Sequence, residues 1–320
     1  MLVPEKYKNH LQLSNSRMNN FMECKAKFYW GYKKELTATY GATPLRYGKA
    51  WHKVLECYYS HIKKWGWEGK NPLGVTAIEA GLAELEECWE RETEGLEWKD
   101  DYRTLQACAE SFIAYIAHHR EERYSLEIIE TEFTYMTEVF LTPEEERLFA
   151  YLKGKPILFT GIIDMIAKEH GHIWAYEHKT TGMWLKAILE TLRRSSQTIG
   201  YLSNVKEQNK DTGIFVEGIM VNLHHLSAGK LKDGGYGKKK IEFARDPQMY
   251  SEADFRAWRL GSLSVLNDIV RAEETNFYPM NMANCHAYNK PCAFTSLCEQ
   301  NKENLEDTNT SAYIKRKWKW

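Results

Sequence analysis

The sequence predicts an α/β fold, a mixed central sheet flanked by helices. Three observations carry this. Apolar and aromatic residues recur at helical spacing from Leu13 to Ile62. The period changes near Ser125 to the β-branched and aromatic runs typical of strands, and holds to Lys179. Helical patterning then returns at Leu192–Gln208 and Glu252–Glu274, with a strand at Gly213–Leu223 between them. Helices and strands mixed in this way pack as layers around one sheet.

The first helix is expected over Leu13–Leu36, with Ser14 or Ser16 as N-cap and Met18, Phe21, Met22, Phe28, Tyr29 and Tyr32 on its apolar side. A second helix is expected over Leu45–Ile62. Trp51, Leu55 and Tyr58 form its buried stripe, and Gly48, His52 and Glu56 recur every four residues on a neighbouring face. Thr76–Arg123 reads as two further helices. Within it, Glu84–Asp101 carries nine acidic and two basic residues, a solvated surface that repels nucleic acid. Ser125–Phe140 reads as a strand or hairpin, and Thr142–Lys155 as turn-like. Two clear strands follow, Ile157–Ile166 and Ile173–Lys179, joined by the hairpin link Lys168-Glu169-His170-Gly171. A short strand at Lys240–Ala244 precedes the last helix, and Thr275–Trp320 is loop-like.

Composition narrows the function classes. At 320 residues, against roughly 150 per domain, the chain can bury a core without disulfides. It has no apolar run approaching the roughly 18 residues of a spanning helix, and no membrane partner is expected. The N-terminus MLVPEKYKNH lacks an apolar leader segment, so a cytoplasmic location is expected. Seven cysteines then read as thiols or metal ligands rather than disulfides. With 43 Lys+Arg against 44 Asp+Glu, coating nucleic acid by bulk charge is excluded, while local basic patches are not. No G-x-x-x-x-G-K-[ST] string is present, which excludes a P-loop ATPase.

The chemistry concentrates in Gly161-Ile-Ile-Asp164 and Glu177-His178-Lys179. Alternation places Glu177 and Lys179 on one face of their strand, and a short hairpin brings Asp164 close. Two carboxylates and an ammonium among apolar strands are costly to bury without purpose. Two carboxylates make a hard oxygen site for Mg²⁺ or Mn²⁺, and a lysine beside them can orient water and offset phosphate charge. The bland alternative is an exposed edge-strand ion pair.

These strings resemble the PD-(D/E)XK nuclease superfamily, specifically its RecB-like branch, over about Leu13–Gln300. Gly48-Lys-Ala-Trp-His52-Lys-Val-Leu-Glu56 is similar to the histidine motif, Gly161-Ile-Ile-Asp164 to the G-x-x-D strand, Glu177-His178-Lys179 to the E-x-K strand, and Gln197-Thr-Ile-Gly-Tyr201 to the Q-x-x-x-Y helix. The resemblance implies a restriction-endonuclease-like sheet. It also implies His52, Asp164, Glu177 and the His178 backbone carbonyl as metal ligands, Lys179 as the catalytic lysine, and Gln197 and Tyr201 as support and DNA contacts. Gln197 and Tyr201 serve equally well as a helix face packed on the sheet. Glu56 reads better as a surface carboxylate.

Cys24, Cys285, Cys292 and Cys298 resemble the one-before, three-after cysteine pattern of RecB-like nucleases with a [4Fe–4S] cluster. That cluster would clasp the C-terminal segment onto the first helix. Six residues rather than the common two separate Cys285 from Cys292, which weakens Cys285 as a ligand and brings in His286 as a substitute. Four thiolates also suit structural zinc, and free thiols in a loop are the plain alternative. Cys57, Cys88 and Cys108 read as small buried residues.

Residues 1–300 are accordingly expected to form one nuclease domain, with a helical insertion at about 65–125 and the cysteine segment at 285–298; residues 301–320 form a basic, aromatic tail. The lysines of Lys230–Lys240, Arg193, Arg194 and the tail are candidate phosphate contacts, and the tail tryptophans candidate stacking groups. The expected activity is Mg²⁺- or Mn²⁺-dependent hydrolysis of DNA. An exonuclease on single strands or DNA ends in recombination, repair or phage DNA metabolism is expected, with a helicase or recombination protein as partner. Two alternatives are a catalytically silent nucleic-acid scaffold and an RNA-processing nuclease.

Overall fold

The structure is a computed structural model, and it describes residues 4–38, 43–93, 101–210, 212–287, 290–300, 310 and 313–315. The first elements are β1 (Leu11–Leu13), α1 (Asn15–Glu23), α2 (Lys25–Phe28), β2 (Leu36–Ala38), α3 (Thr43–Trp65), α4 (Ala77–Thr93) and α5 (Leu105–His118). The middle of the chain forms β3 (Leu126–Val139), α6 (Pro143–Leu148), β4 (Ile157–Glu169), β5 (His172–Thr181), α7 (Leu185–Leu192) and α8 (Ser196–Gln208). Then follow β6 (Val216–Ser227), β7 (Lys240–Gln248), α9 (Glu252–Thr275), β8 (His286–Ala287), β9 (Lys290–Pro291), α10 (Thr295–Gln300) and β10 (Tyr313–Lys315). The class is mixed α/β, as the sequence predicts.

Contacts divide the chain into two compact units, and the larger comprises Tyr40–Tyr135 and Ile162–Asp254. Its strands run in the order β4-β5-β6-β7, with the first and last pairs antiparallel and β5–β6 parallel. The β4–β5 hairpin turns on His170 and Gly171, at φ 50° and 90°, between the paired residues Glu169 and His172. Two residues at positive φ give the turn whose twist suits adjacent antiparallel strands. The parallel β5–β6 pair needs a crossover, which α7 and α8 supply. The α3 residues Trp51, Val54, Leu55 and Tyr58 share a buried core with Phe112 of α5, Met165 of β4 and Tyr176 of β5. Burying each large side chain stabilises the fold by about 1.5–3 kcal/mol. That packing fixes the rotation of α3, and with it the direction of His52.

The smaller unit comprises Met1–Thr39, Met136–Gly161 and Phe255–Trp320. Here β1 lies parallel to the start of β4, from Leu11 opposite Ile157 to Leu13 opposite Phe159. The Ser14 Oγ caps α1 by accepting the Arg17 N–H at 3.3 Å. Met18, Phe21, Phe28 and Trp30 are buried with Leu263, Leu266 and Ile269 of α9. Thr142 and Glu145 form a reciprocal capping box that starts α6.

Several elements differ from the sequence expectations. The single helix over Leu13–Leu36 is broken: Cys24 is extended (φ −165°, ψ 123°), and Leu11–Leu13 and Leu36–Ala38 are strands. Their pairing partners lie far away in sequence, beyond the reach of local periodicity. The Ser125–Phe140 segment is one strand, not a hairpin, and Glu132 stands at φ 50° within it. The helix expected from Leu192 starts at Ser196 instead, behind an N-cap in which the Ser195 Oγ accepts the Gln197 N–H at 3.2 Å. The turn-like Thr142–Lys155 holds α6, and the loop-like C-terminal stretch holds β8, β9, α10 and β10. Residues 94–100 of the acidic stretch and most of the 301–320 tail lie outside the described residues. No helix among the described residues is long and apolar enough to cross a membrane.

Candidate active site

On β4, Ile162 and Asp164 alternate with the buried Ile163 and Met165 and so share the opposite face. On β5, Glu177 and Lys179 share a face while the His178 ring points the other way. One turn of α3 brings His52 over the strands, and its Nδ1 lies 2.8 Å from Asp164 Oδ1. The other Asp164 oxygen accepts the His178 N–H at 2.6 Å. Glu177, with a side chain only 3% exposed, pairs with the Lys179 Nζ at 2.5 Å. Gln197 of α8 closes the group. Its Nε2 donates to Glu177 at 2.8 Å and to the Tyr201 hydroxyl at 2.9 Å, and its Oε1 accepts from Lys179 at 2.9 Å. All seven sequence-selected residues of this site thus lie in the larger unit, in two hydrogen-bonded groups, His52–Asp164–His178 and Glu177–Lys179–Gln197–Tyr201, on the adjacent strands β4 and β5 and the helices α3 and α8 beside them.

The electrostatics follow from burial and pairing. Burial pushes the Asp164 carboxyl up, but the His52 charge and hydrogen bond outweigh it and hold Asp164 at about 2. His52 is correspondingly raised despite its burial. Burial and then repulsion by Asp164 raise Glu177 against the pull of Lys179. Burial lowers Lys179, but Glu177 more than compensates, so the ammonium stays charged. Behind the strand, burial drives His178 down to about 4. This neutral ring accepts the Asn222 amide at 2.9 Å and stacks on Tyr59 with centroids 6.1 Å apart.

His52 and Asp164 line a groove of about 610 Å³ with Glu56, Glu132, Lys49, Lys53 and Arg103. Glu132 is the residue that sequence reasoning missed. Burial, then Glu56 and Asp164, push its carboxyl up to about 7. Its position goes with a backbone at φ 50°, which no motif announces, and in sequence it is one of four glutamates on β3. Glu56, expected at the surface, also lines the groove and is ion-paired with Lys53.

In the smaller unit, Cys24, Cys285, Cys292 and Cys298 all line a second cavity, of about 240 Å³. The Asn281 N–H donates to the Cys24 sulfur and the Trp30 indole to the Cys298 sulfur, each at 3.3 Å. All seven cysteines are free. Cys88 and Cys108 are buried as expected, whereas Cys57 is partly exposed. His286 lines the same cavity.

The family model of the PD-(D/E)XK nuclease superfamily matches residues 12–299. The chain belongs to that superfamily. A solved structure of a candidate exonuclease from Eubacterium rectale is similar over 94% of this chain and 93% of its own, at 11% identity and a TM-score of 0.45. The solved protein SSO0001 is similar over 91% and 87%, at 11% identity and a TM-score of 0.36. Both scores are too low for either likeness to bear on the site. No curated protein matches the chain.

Membership of this nuclease superfamily raises the question of a divalent cation. Glu177 is buried, Asp164 beside it is partly buried and repels it, and Glu132 adds a third carboxyl held up by burial and its neighbours. A cation would offset this crowding, and carboxylates with an imidazole suit Mg²⁺ or Mn²⁺. The donor chemistry therefore fits, although each donor is engaged by a protein partner. Among the described residues no three His, Cys, Asp or Glu side chains already form an ion cage. For the cysteines the fit rests on four thiols around one cavity, with N–H groups directed at two of the sulfurs.

Proposed function

We propose that the protein is a metal-dependent DNA nuclease, an exonuclease acting on single strands or DNA ends. One observation carries this reading. Asp164, Glu177 and Lys179 are gathered with His52 and Gln197 around the buried Glu177, in the unit that holds the groove. His52, Asp164, Glu177 and the His178 carbonyl would hold Mg²⁺ or Mn²⁺, which supplies an activated water and neutralises charge on the leaving oxygen. Lys179 is held between Glu177 and Gln197, so its ammonium is fixed in direction before substrate arrives. A preorganised cation of this kind stabilises charge that develops on a phosphate oxygen. Gln197 and Tyr201 support that arrangement. Cys24, Cys285, Cys292 and Cys298 would hold a [4Fe–4S] cluster, or zinc, that fastens the C-terminal segment to the break between α1 and α2.

The test uses end-labelled linear and closed circular single-stranded DNA with Mn²⁺, and anaerobically purified protein beside its Lys179→Ala variant. Degradation of the linear strand alone, absent in the variant, is the expected result. Cutting of the circle makes the enzyme an endonuclease, and unchanged cutting by the variant removes Lys179 from the mechanism.

A further inference from the structure

Between β6 and β7 the chain forms a lysine-rich hairpin that the catalytic constellation does not use. Lys230, Lys232, Lys238, Lys239 and Lys240 stand against one acidic residue, Asp233. Asp233 is occupied by its own loop, accepting the Gly235 N–H at 3.0 Å. Lys239 is paired with Glu110 at 3.0 Å and Lys240 with Glu242 at 2.9 Å. Lys230, Lys232 and Lys238 are exposed, and among the described residues no carboxylate pairs with them. Three positive charges are therefore left to solvent on one hairpin.

This hairpin is anchored. Lys230 bridges to Tyr236, the Gly237 N–H donates to the Gly229 carbonyl at 2.8 Å, and the Leu231 N–H donates to the Gly235 carbonyl at 2.9 Å. The Tyr236 ring packs edge-on against Tyr102, with centroids 5.4 Å apart. The Tyr102 hydroxyl donates to the Leu226 carbonyl at 3.3 Å. The next residue, Arg103, lines the active-site groove together with Gly182 and Leu226. Gly182 follows the Lys179 strand so closely against them that a Cβ there would meet the Arg103 Nη2 at 2.9 Å and the Tyr102 hydroxyl at 3.3 Å. Tyr102 is thus the footing of the hairpin, and its neighbour Arg103 part of the wall of the groove.

We infer that the Lys230–Lys240 hairpin is a second substrate-binding surface, holding the phosphodiester backbone of the strand beyond Arg103, away from the cut. This rests on the nuclease reading of the groove. Glu177 lies opposite Val221, and β6 ends at Ser227. Six residues at roughly 3.3 Å each place the base of the hairpin about 20 Å further along. A stacked strand carries a phosphate roughly every 3.4 Å, so the contact falls on the order of six nucleotides from the cut, and fewer when the strand is stretched. Lysines on an open loop grip phosphates without reading bases, and their hold weakens with salt.

The experiment uses the whole protein and a variant carrying Lys230→Ala, Lys232→Ala and Lys238→Ala. Binding of single-stranded DNA of about 20 and about 4 nucleotides is measured by anisotropy with Ca²⁺ across a salt series, and cleavage with Mn²⁺. On the long strand the variant should bind about tenfold more weakly with kcat unchanged. Its slope of log Kd against log salt should fall by about 2, three contacts at roughly 0.7 each. The short strand should be bound and cut as by the wild type. An unchanged Kd and slope on the long strand overturns the inference, and so does an equal loss on the short one, which would place the charges at the cut. If the wild type binds with the hairpin-dependent slope yet cuts nothing, the hairpin stands and the nuclease reading falls.

Discussion

In the larger unit the charged groups satisfy one another. Asp164 is shared by His52 and the His178 N–H, and Glu177 by Lys179 and Gln197. In the smaller unit the four thiols around the second cavity meet only neutral hydrogen-bond partners among the described residues: the Asn281 and Phe294 N–H groups, the Trp30 indole and the Asn281 carbonyl. The first site is built before any ligand arrives, because its strands and α3 are fixed by a core that includes Trp51, Leu55 and Tyr176. The second gathers Cys24 from a helix break and three cysteines from a segment with little regular structure. On the proposed reading, its closure would rely on the bound cluster or zinc. A preorganised polar site spends its ligand's affinity on chemistry, whereas a thiol site spends it on folding.

The contrast can be broken most sharply at Lys179. Lys179→Ala should lower the cleavage rate by about 10³-fold while the melting temperature stays near that of the wild type. If the melting temperature collapses instead, the lysine is a structural partner of Glu177 first. Cys298→Ser should do the reverse. It should release the bound metal, read by elemental analysis and visible absorption, and lower the melting temperature by about 10 °C. The cutting rate per folded molecule at low temperature should be retained; losing it with full metal content would merge the two sites into one. Gln197→Ala removes the amide that holds both Glu177 and Lys179 and should cost about 10–100-fold in rate or Mn²⁺ affinity. A smaller loss means α8 serves only to pack.

His52 supplies a pH test with opposite signs. Its raised pKa means that the His52–Asp164 charge pair stabilises the metal-free protein below the ordinary histidine value near 6.5, and that this contribution is lost as pH rises through the folded value. Metal binding needs the neutral ring, so Mn²⁺ affinity should climb about tenfold per pH unit up to that same value and then level off. Titration calorimetry over pH 6–8, roughly the window around a histidine, would show a flat profile if His52 is not a ligand. The smallest effect is expected from Glu132→Gln. Relief of repulsion from Glu56 and Asp164 should raise metal-free stability by about 1 kcal/mol while weakening Mn²⁺ binding, both measured on one preparation.

The β4–β5 hairpin is the most legible part of the sequence. Alternation on two adjacent strands placed Asp164, Glu177 and Lys179 together, and helical spacing from Trp51 to Tyr58 oriented His52. These are short-range rules acting within single elements. The unread features depend on contacts between distant segments. Leu11–Leu13 is a strand because Ile157–Phe159 lies beside it. Glu132 faces the groove because its backbone adopts φ 50°, which glutamate rarely does. The break at Cys24 sits where Asn281 reaches its sulfur. The expected helix start at Leu192 differs from the structure for a local reason: Leu192 ends the separate helix α7, and Ser195 is the N-cap of α8.

The cysteine cavity also orders events during synthesis. Cys24 is translated before the other three cysteines of the cavity, and the last of them, Cys298, follows 298 − 24 = 274 residues later. At roughly 5–20 residues per second, that is a wait of about 14–55 seconds. All the nuclease motifs, through Tyr201, are translated within that interval. The residues proposed as catalytic therefore exist on the nascent chain before the four cysteines can meet, and a proposed cluster would form only after them.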